Sequence, residues 1–419
     1  MYMKKENLKK TDLEIYKLIE NEERRQGDTI DLIASENYVS SAVLEAMGSV
    51  LMNKYSEGYS GKRYYMGNKI IDEIEDVAVE RAKELFKAEH VNIQPYSGSP
   101  ANLAVHLAFL KPGDRTMGMS LASGGHLTHG HKVSISGMYF DSVQYGVNDD
   151  GYIDYDEVRR LAKKHKPKLI WAGFSAYSRV IDWKKFREIA DEVNAILAAD
   201  IAHVAGLVAT GIYPSPVNIA DVVTTTTHKT LRGPRGAMIM CKEQYAQQID
   251  KAVFPGCQGG PHNHVTAGIA VALKEASSDE FKEYTENIVK NARELAKLFT
   301  DNGYKVISKG TDNHLFLLDV VESFNLTGQE AAVILEKAGI VVNKNAVPND
   351  PRKPWDPSGI RIGTPAVTTR GMKEKDMKKI YEFITEAFED PDDEPLLEEM
   401  SRQVKIFLKD FPVLCQKEI

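Results

Sequence analysis

The chain has 419 residues, too many for one ordinary hydrophobic core, so two or more domains are expected. Hydrophobic residues make up 42% and charged residues 27%, and the net charge is −7 with Lys and Arg scattered, which argues against a basic nucleic-acid groove. No apolar run reaches the roughly 18 residues of a membrane helix, and Cys241, Cys257 and Cys415 are too few and too far apart for a disulfide framework or a metal knuckle, which predicts a reducing cytoplasm.

In chain order, the polar, acidic-rich opening MYMKKENLKKTDLEIYKLIENEERR reads as neither a signal nor a transit peptide. Thr11 and Glu14 read as a capping box ahead of Leu13, Ile15, Leu18 and Ile19, so residues 11–25 are expected to form a helical arm. Residues 41–52 and 70–87 predict further helices. From there to about residue 275, short apolar runs alternate with helical patterns. The runs PKLIWAGFS from Pro167, AILAAD ending at Asp200 and DVVTTTT from Asp221 read as buried strands, which predicts a mostly parallel sheet with helices on both faces.

Composition changes near Ser277. Residues 279–300 carry Phe281, Tyr284, Ile288, Leu295 and Phe299 at helical spacing, and Asn302-Gly303 stops that helix. YKVIS and HLFLLDV read as strands, and Thr327 with Glu330 caps another helix. Met377, Ile380, Tyr381, Ile384 and Phe388 mark one more helical stripe, and Leu397, Met400, Val404, Phe407 and Phe411 a last one. The expected organisation is an α/β protein with an N-terminal helical arm (1–30), a large domain (31–277) and a smaller C-terminal α/β domain (278–419).

The segment VVTTTTHKTLRGPRG, residues 222–236, puts Lys229 just beyond a β-branched strand. Alone, such a lysine reads as a solvated loop residue. Asp200 also follows an apolar strand directly, one βαβ length earlier, so both side chains can reach one crevice at the carboxyl ends of the strands. A lysine and a carboxylate there suit pyridoxal phosphate: the amine forms an imine with the aldehyde, and the carboxylate keeps the ring nitrogen protonated. Arg232 and Arg235 read either as cations that lower the Lys229 pKa or as surface charges. Ser97, Gly98 and Ser99 precede an apolar helical run and form a candidate phosphate cradle, although Ser there is also a common N-cap. The loop FPGCQGGP, residues 254–261, offers a second glycine-lined approach.

Arg361, within the strand SGIRIG, reads as a fork for a substrate carboxylate or as half of an internal salt bridge. The stretch NKYSEGYSGKRYY, with Tyr55, Glu57, Tyr64 and Tyr65, reads as an interface or binding loop. His126 and His129 have a spacing open to metal, but no carboxylate or Cys cluster completes a site, so no metal is expected. Stacking of an imidazole on a cofactor ring is the better reading.

The motifs LIASENY, YSEGYSGKRYY, SGSPAN, GGHLTHG, DIAHVAGL, TTTTHKTLRGPRG, FPGCQGGP, TDNHLFLLD, VNKNAVPNDP and SGIRIGTPAVTTRG stand here in the order found in serine hydroxymethyltransferases, and the chain resembles that family over nearly its whole length. The resemblance implies a fold-type I pyridoxal-phosphate enzyme that moves the hydroxymethyl group of serine to tetrahydrofolate, giving glycine and 5,10-methylenetetrahydrofolate. It also implies a homodimer, with pairing into tetramers left open. Position by position, Lys229 would be the covalent anchor of the cofactor and Asp200 the partner of its ring nitrogen. His126 and Ala202 would lie on its two faces, and Ser175 and His203 near its phenolic oxygen. Ser97, Gly98, Ser99 and Gly260 would meet its phosphate, Gly260 from the neighbouring subunit. Arg361 and Ser35 would hold the amino-acid carboxylate. Tyr55, Glu57 and Tyr65 would come from the other subunit, with Glu57 handling protons and its pKa raised by burial. Leu121, Gly125, His126, Leu127, Asn345, Lys353, Pro354 and Trp355 would line the folate site. Ala237, Cys257, Lys353 and Trp355 depart from the family pattern. A folate-independent aldolase on the same fold and an idle or RNA-binding scaffold are the rival readings.

Overall fold

The computed structural model describes residues 5–413, and Cys415 lies outside them. The chain forms two compact units: the described part of Met1–Ser41 with Glu286–Ile419 (unit 1), and Ala42–Thr285 (unit 2).

Unit 2 is built on seven strands: His90–Asn92 (β1), Arg115–Met119 (β2), Asp141–Tyr145 (β3), Leu169–Gly173 (β4), Ile196–Asp200 (β5), Val222–Thr226 (β6) and Ala237–Cys241 (β7). They lie in the order β1-β7-β6-β5-β4-β2-β3, and β7 alone runs antiparallel to its neighbours. All residues of β4, β6 and β7 are buried, as expected of strands covered on both faces. Ala101, Val105, Trp171, Ala198, Val222 and Ile239 form part of one core between the sheet and the helix Gly98–Phe109. In register, Gly173 pairs with Asp200 and Asp200 with Thr224, so β4 and β5 end together and β6 continues past them to Thr226 at the same edge of the sheet. This edge is where the sequence places its chemistry.

Unit 1 has an antiparallel three-stranded sheet, Leu315–Asp319 (β8), Asn343–Asn345 (β9) and Gly359–Gly363 (β10), with β10 in the middle. Its core gathers Phe299, Phe316, Ile360, Ile362, Ile380 and Met400. The N-terminal segment packs into this unit. Ile30–Asp31 pairs in parallel with Ile340–Val341, and the Arg370 guanidinium donates to the carbonyls of Gln26, Gly27 and Thr29.

Several elements differ from expectation. The arm is two helices, Glu6–Thr11 and Leu13–Asp28, and the second is capped by the Asp12 carboxylate on the Ile15 N–H rather than by Thr11. The helix from Ser41 ends at Met47, and a 3₁₀ turn follows at Val50–Asn53. YKVIS is not a strand: Val306 makes a single bridge to Leu318, and Ser308 and Lys309 then turn left-handed, which ends extended pairing. Phe411 lies beyond the helix Glu394–Phe407. The helix Asp279–Asp301 buries all five residues of its stripe, and the Thr327–Glu330 capping box forms as expected.

Candidate active site

Asp200 is the last residue of β5 and is 7% exposed. Its Oδ2 accepts hydrogen bonds from Asn102 Nδ2 at 2.8 Å and from His129 Nε2 at 3.0 Å, and its Oδ1 accepts the Ala202 N–H at 3.0 Å. Burial works against the charge, but the bonds from His129 and Asn102 outweigh it and hold the carboxyl well below the usual carboxylate range. A buried carboxylate is thus kept ionised at the edge of a parallel sheet. Lys229 follows the adjacent strand β6 by three residues and is 9% exposed. Both Asp200 and Lys229 act electrostatically on the His126 imidazole, so the three groups share one locality. Burial brings the His126 pKa down to about 4. Its Nδ1 is engaged by the Thr128 hydroxyl at 2.7 Å.

The helix Gly98–Phe109 starts at the same edge, and the Ser97 hydroxyl does not cap it. Pro100 has no N–H and the Ala101 N–H is taken by the Ser97 carbonyl, which leaves Gly98 and Ser99 as the donors of the first turn. A Cβ on Gly98 would stand 2.8 Å from Thr226 Cγ2, so only glycine lets the helix start approach β6 this closely. A pyridine ring bearing an aldehyde and a phosphate fits this set: an ionised carboxylate, a nearby primary amine and a helix start with open donors.

The remaining expected cofactor residues fall nearby in sequence and structure. The Ser175 N–H donates to the Gly124 carbonyl at 2.7 Å, and His203, 2% exposed, stacks against Phe174. The carbonyl of Ala202 accepts from Thr226 Oγ1, and Thr230 Oγ1 donates to the His203 carbonyl, which ties the turn after Asp200 to the end of β6 and the loop carrying Lys229. Arg232 is not turned toward the lysine as the sequence reading allowed. Its guanidinium lies over Tyr284 at 4.7 Å and Phe281 at 5.6 Å, a cation–π seat, and Arg235 is exposed.

A second cluster in unit 2 gathers Tyr55, Glu57, Tyr65 and Gly260. The Tyr55 hydroxyl donates to Glu57 Oε1 at 3.2 Å, the Tyr55 and Tyr65 rings meet edge to face at 5.1 Å, and Gly260 backs onto the Tyr55 ring. Tyr96, next to the Ser97 loop, donates to the Gly260 carbonyl at 2.7 Å. Glu57 is half-buried, short of the burial the sequence reading invoked, and Tyr55 and Tyr65 are exposed.

In unit 1, Arg361 occupies the middle of β10 and is 8% exposed. Its Nε donates to Asn343 Oδ1 at 2.9 Å from the facing strand, and its Nη2 to Ser35 Oγ at 3.3 Å. Burial lowers its pKa to about 10. Ser35 reaches the strand because the Gly363 N–H donates to the Leu32 carbonyl, and a Cβ on Gly363 would collide with Ala34 at 2.4 Å. Of the expected folate residues, Leu121, Gly125, His126 and Leu127 belong to unit 2, and Asn345, Lys353, Pro354 and Trp355 to unit 1. Trp355 is 66% exposed, with the Lys353 ammonium over its ring at 5.1 Å. Ala237 opens β7, and neither it nor Cys257 has a positive φ, so these two departures fit without backbone strain.

Asn102 and Thr226 were missed in the sequence as parts of the site, and His129 was singled out there only beside His126, without its bond to Asp200. The HLTH spacing exposed the histidine pair, but only the fold shows that His129 turns inward to Asp200.

A family model described as serine hydroxymethyltransferase matches residues 8–384. The chain is 59% identical to the serine hydroxymethyltransferase of Desulfotalea psychrophila over 97% of its length and 95% of the relative's. It is 58% identical to that of Sorangium cellulosum (97% and 96%) and 55% identical to that of Legionella pneumophila (99% and 100%). With the site geometry, these likenesses settle the lineage: the chain belongs to the serine hydroxymethyltransferase family, whose fold is the fold-type I pyridoxal-phosphate architecture.

Proposed function

We infer that this protein transfers the hydroxymethyl group of serine to tetrahydrofolate, reversibly, with pyridoxal phosphate as cofactor. The observation that carries the reading is the buried, ionised Asp200 beside the strand that leads to Lys229. When bound, the cofactor supplies a cationic ring that takes up the electron pair left at the substrate α-carbon. The Lys229 amine would hold its aldehyde, and the Asp200 carboxylate would keep the proton on its ring nitrogen. His126 and Ala202 would lie on the two ring faces, and Ser175 and His203 near the phenolic oxygen. Gly98 and Ser99 would offer backbone N–H groups to the phosphate, with the Ser97 hydroxyl beside them and Gly260 of the partner subunit joining them.

Arg361 binds the amino-acid carboxylate with Ser35, and Asn343 keeps the guanidinium in the plane of the fork. Glu57, braced by Tyr55, moves the proton at the hydroxymethyl oxygen, and Tyr65 packs beside it. Leu121, Gly125, Leu127, Asn345 and residues 353–355 border the folate. The working unit is a homodimer in which Tyr55, Glu57, Tyr65 and Gly260 serve the partner's cofactor. Exposed Val50, Met52, Tyr64, Met66 and Ile70 around that cluster supply apolar surface for such an interface. The setting is the cytoplasm, and no helix among the described residues is long and apolar enough to cross a membrane.

The test is glycine release from serine with and without tetrahydrofolate, alongside the cofactor absorbance of wild type and Lys229→Ala. Folate-accelerated release and a band lost in the variant are expected. Release indifferent to folate would point to the aldolase, and no band in either protein would end the enzyme reading.

A further inference from the structure

His129 is wholly buried, and its ring lies nearly parallel to that of Trp171, with centroids 5.3 Å apart and 12° between the planes. Its Nδ1 accepts the backbone N–H of His126 at 3.3 Å, so the ring hydrogen sits on Nε2, the nitrogen that faces Asp200 Oδ2 at 3.0 Å. An imidazolium could not accept that N–H, so the donor to Asp200 is a neutral ring. The stacking partner is itself pinned. Trp171 Nε1–H donates to His106 Nε2 at 3.1 Å, which places the His106 hydrogen on Nδ1, and that group donates to the Asn102 carbonyl at 2.8 Å. The Asn102 side-chain N–H closes the circuit on Asp200, while Thr224 Oγ1 donates to Asn102 Oδ1 at 2.7 Å and fixes the amide's orientation.

We propose that His129 is a positioning residue for Asp200. As a neutral donor to Oδ2 it orients the carboxylate without cancelling its charge, so the carboxylate is presented to the cofactor's ring nitrogen through Oδ1. The proposal rests on Asp200 being the partner of that nitrogen. Oδ2 already accepts two hydrogen bonds and Oδ1 accepts one, so the remaining acceptor capacity of the carboxylate lies on Oδ1. A protonated His129 would pair with Asp200 as an ion pair and weaken its hold on a cationic ring. Burial holds His106 neutral, with a pKa of about 4, which keeps charge out of the circuit as well. His126 and His129 are thereby separated in role: one stands toward the cofactor crevice, the other behind its anchoring carboxylate.

The test is equilibrium binding to the full chain freed of cofactor, using pyridoxal phosphate and its 1-deaza analogue, in which carbon replaces the ring nitrogen. Wild type is expected to prefer pyridoxal phosphate. His129→Phe keeps a ring on Trp171 but removes both nitrogens, and it is expected to shrink that preference about tenfold by weakening pyridoxal phosphate alone. His129→Gln, which retains an N–H donor, is expected to recover part of it. An undiminished preference in His129→Phe, or equal weakening of both ligands, overturns the proposal. No preference in wild type overturns the reading of Asp200 instead. Should the Phe variant fail to fold, the nitrogen-15 spectrum of the wild-type histidines decides: hydrogen on Nε2 alone is expected for His129, and hydrogen on Nδ1 or on both nitrogens sinks the proposal.

Discussion

Arginine in the middle of a strand of Gly and Ile has to be explained by what it holds, since a guanidinium is costly to bury among apolar neighbours. The partners of Arg361 include two neutral oxygens, Asn343 Oδ1 and Ser35 Oγ, and burial has pulled its pKa down to about 10 against the opposing pull of the Glu36 carboxylate. An incoming carboxylate would add a charge-assisted fork. Replacing it with alanine is expected to raise the serine KM by about 10- to 150-fold, the equivalent of about 1.5–3 kcal/mol for a charge-assisted hydrogen bond, and steady-state kinetics would show it. An unchanged KM would remove Arg361 from the substrate. Its identity was legible in the sequence because charge in an apolar strand stands out, as did Asp200 and Lys229 at strand ends. Asn102 was not, because an Asn on an apolar helix gains meaning only once the fold turns it onto Asp200, and His129, though singled out beside His126, gained its role in the same way.

At the scale of elements, the hairpin Gly58–Tyr59 with Lys62–Arg63 is flanked by the Tyr55–Glu57–Tyr65 cluster, and Arg63 is one of the side chains that clip it to the unit, along with Tyr59, whose hydroxyl donates to the Asp250 carbonyl. Arg63 pairs with Asp72 at 2.8 Å and with the buried Glu75 at 2.9 Å, and donates to the carbonyls of Ser56 and Gly58. Arg63→Met leaves Glu75 buried without its cation and is expected to cost about 3–5 kcal/mol, read from urea unfolding. A loss under 1 kcal/mol would show that the hairpin does not depend on the clip. Buried strands such as Leu169–Gly173 were readable from their apolar runs, since a strand covered on both faces has no polar alternation to confuse it. YKVIS carried a similar run, but a strand also needs residues that continue it, and Ser308 and Lys309 turn away. The helix start at Asp12 was misplaced by one residue because Thr11 and Asp12 are both good caps.

For the molecule as a whole, a homodimer with shared sites predicts that Glu57→Ala subunits mixed with Lys229→Ala subunits regain part of the lost activity. Verified hybrids that stay inactive would place each cluster on its own chain. Acid response separates the two units more sharply. In unit 2, burial depresses His106 to about 4 from 6.5. Between those values the unfolded chain takes up a proton that the folded unit refuses, so stability is full above about pH 7 and falls as pH drops through the window. For His106 alone the loss between pH 7 and pH 5 is about 2 kcal/mol, and His126 and His228, depressed to about 4 and about 3, act in the same direction. In unit 1 the sign is reversed. Burial and the neighbouring Glu36 raise Asp31 from 3.8 to about 8, so the folded carboxyl holds its proton where the unfolded one has lost it, and this contribution grows as pH falls from 8 toward 4. Hydrogen exchange followed peptide by peptide should therefore show the β4–β6 strands losing protection from pH 7 to pH 5, after correction for intrinsic exchange, while the segment around Ile30–Asp31 holds or gains. Parallel losses in both units would mean that these buried groups do not govern the acid response.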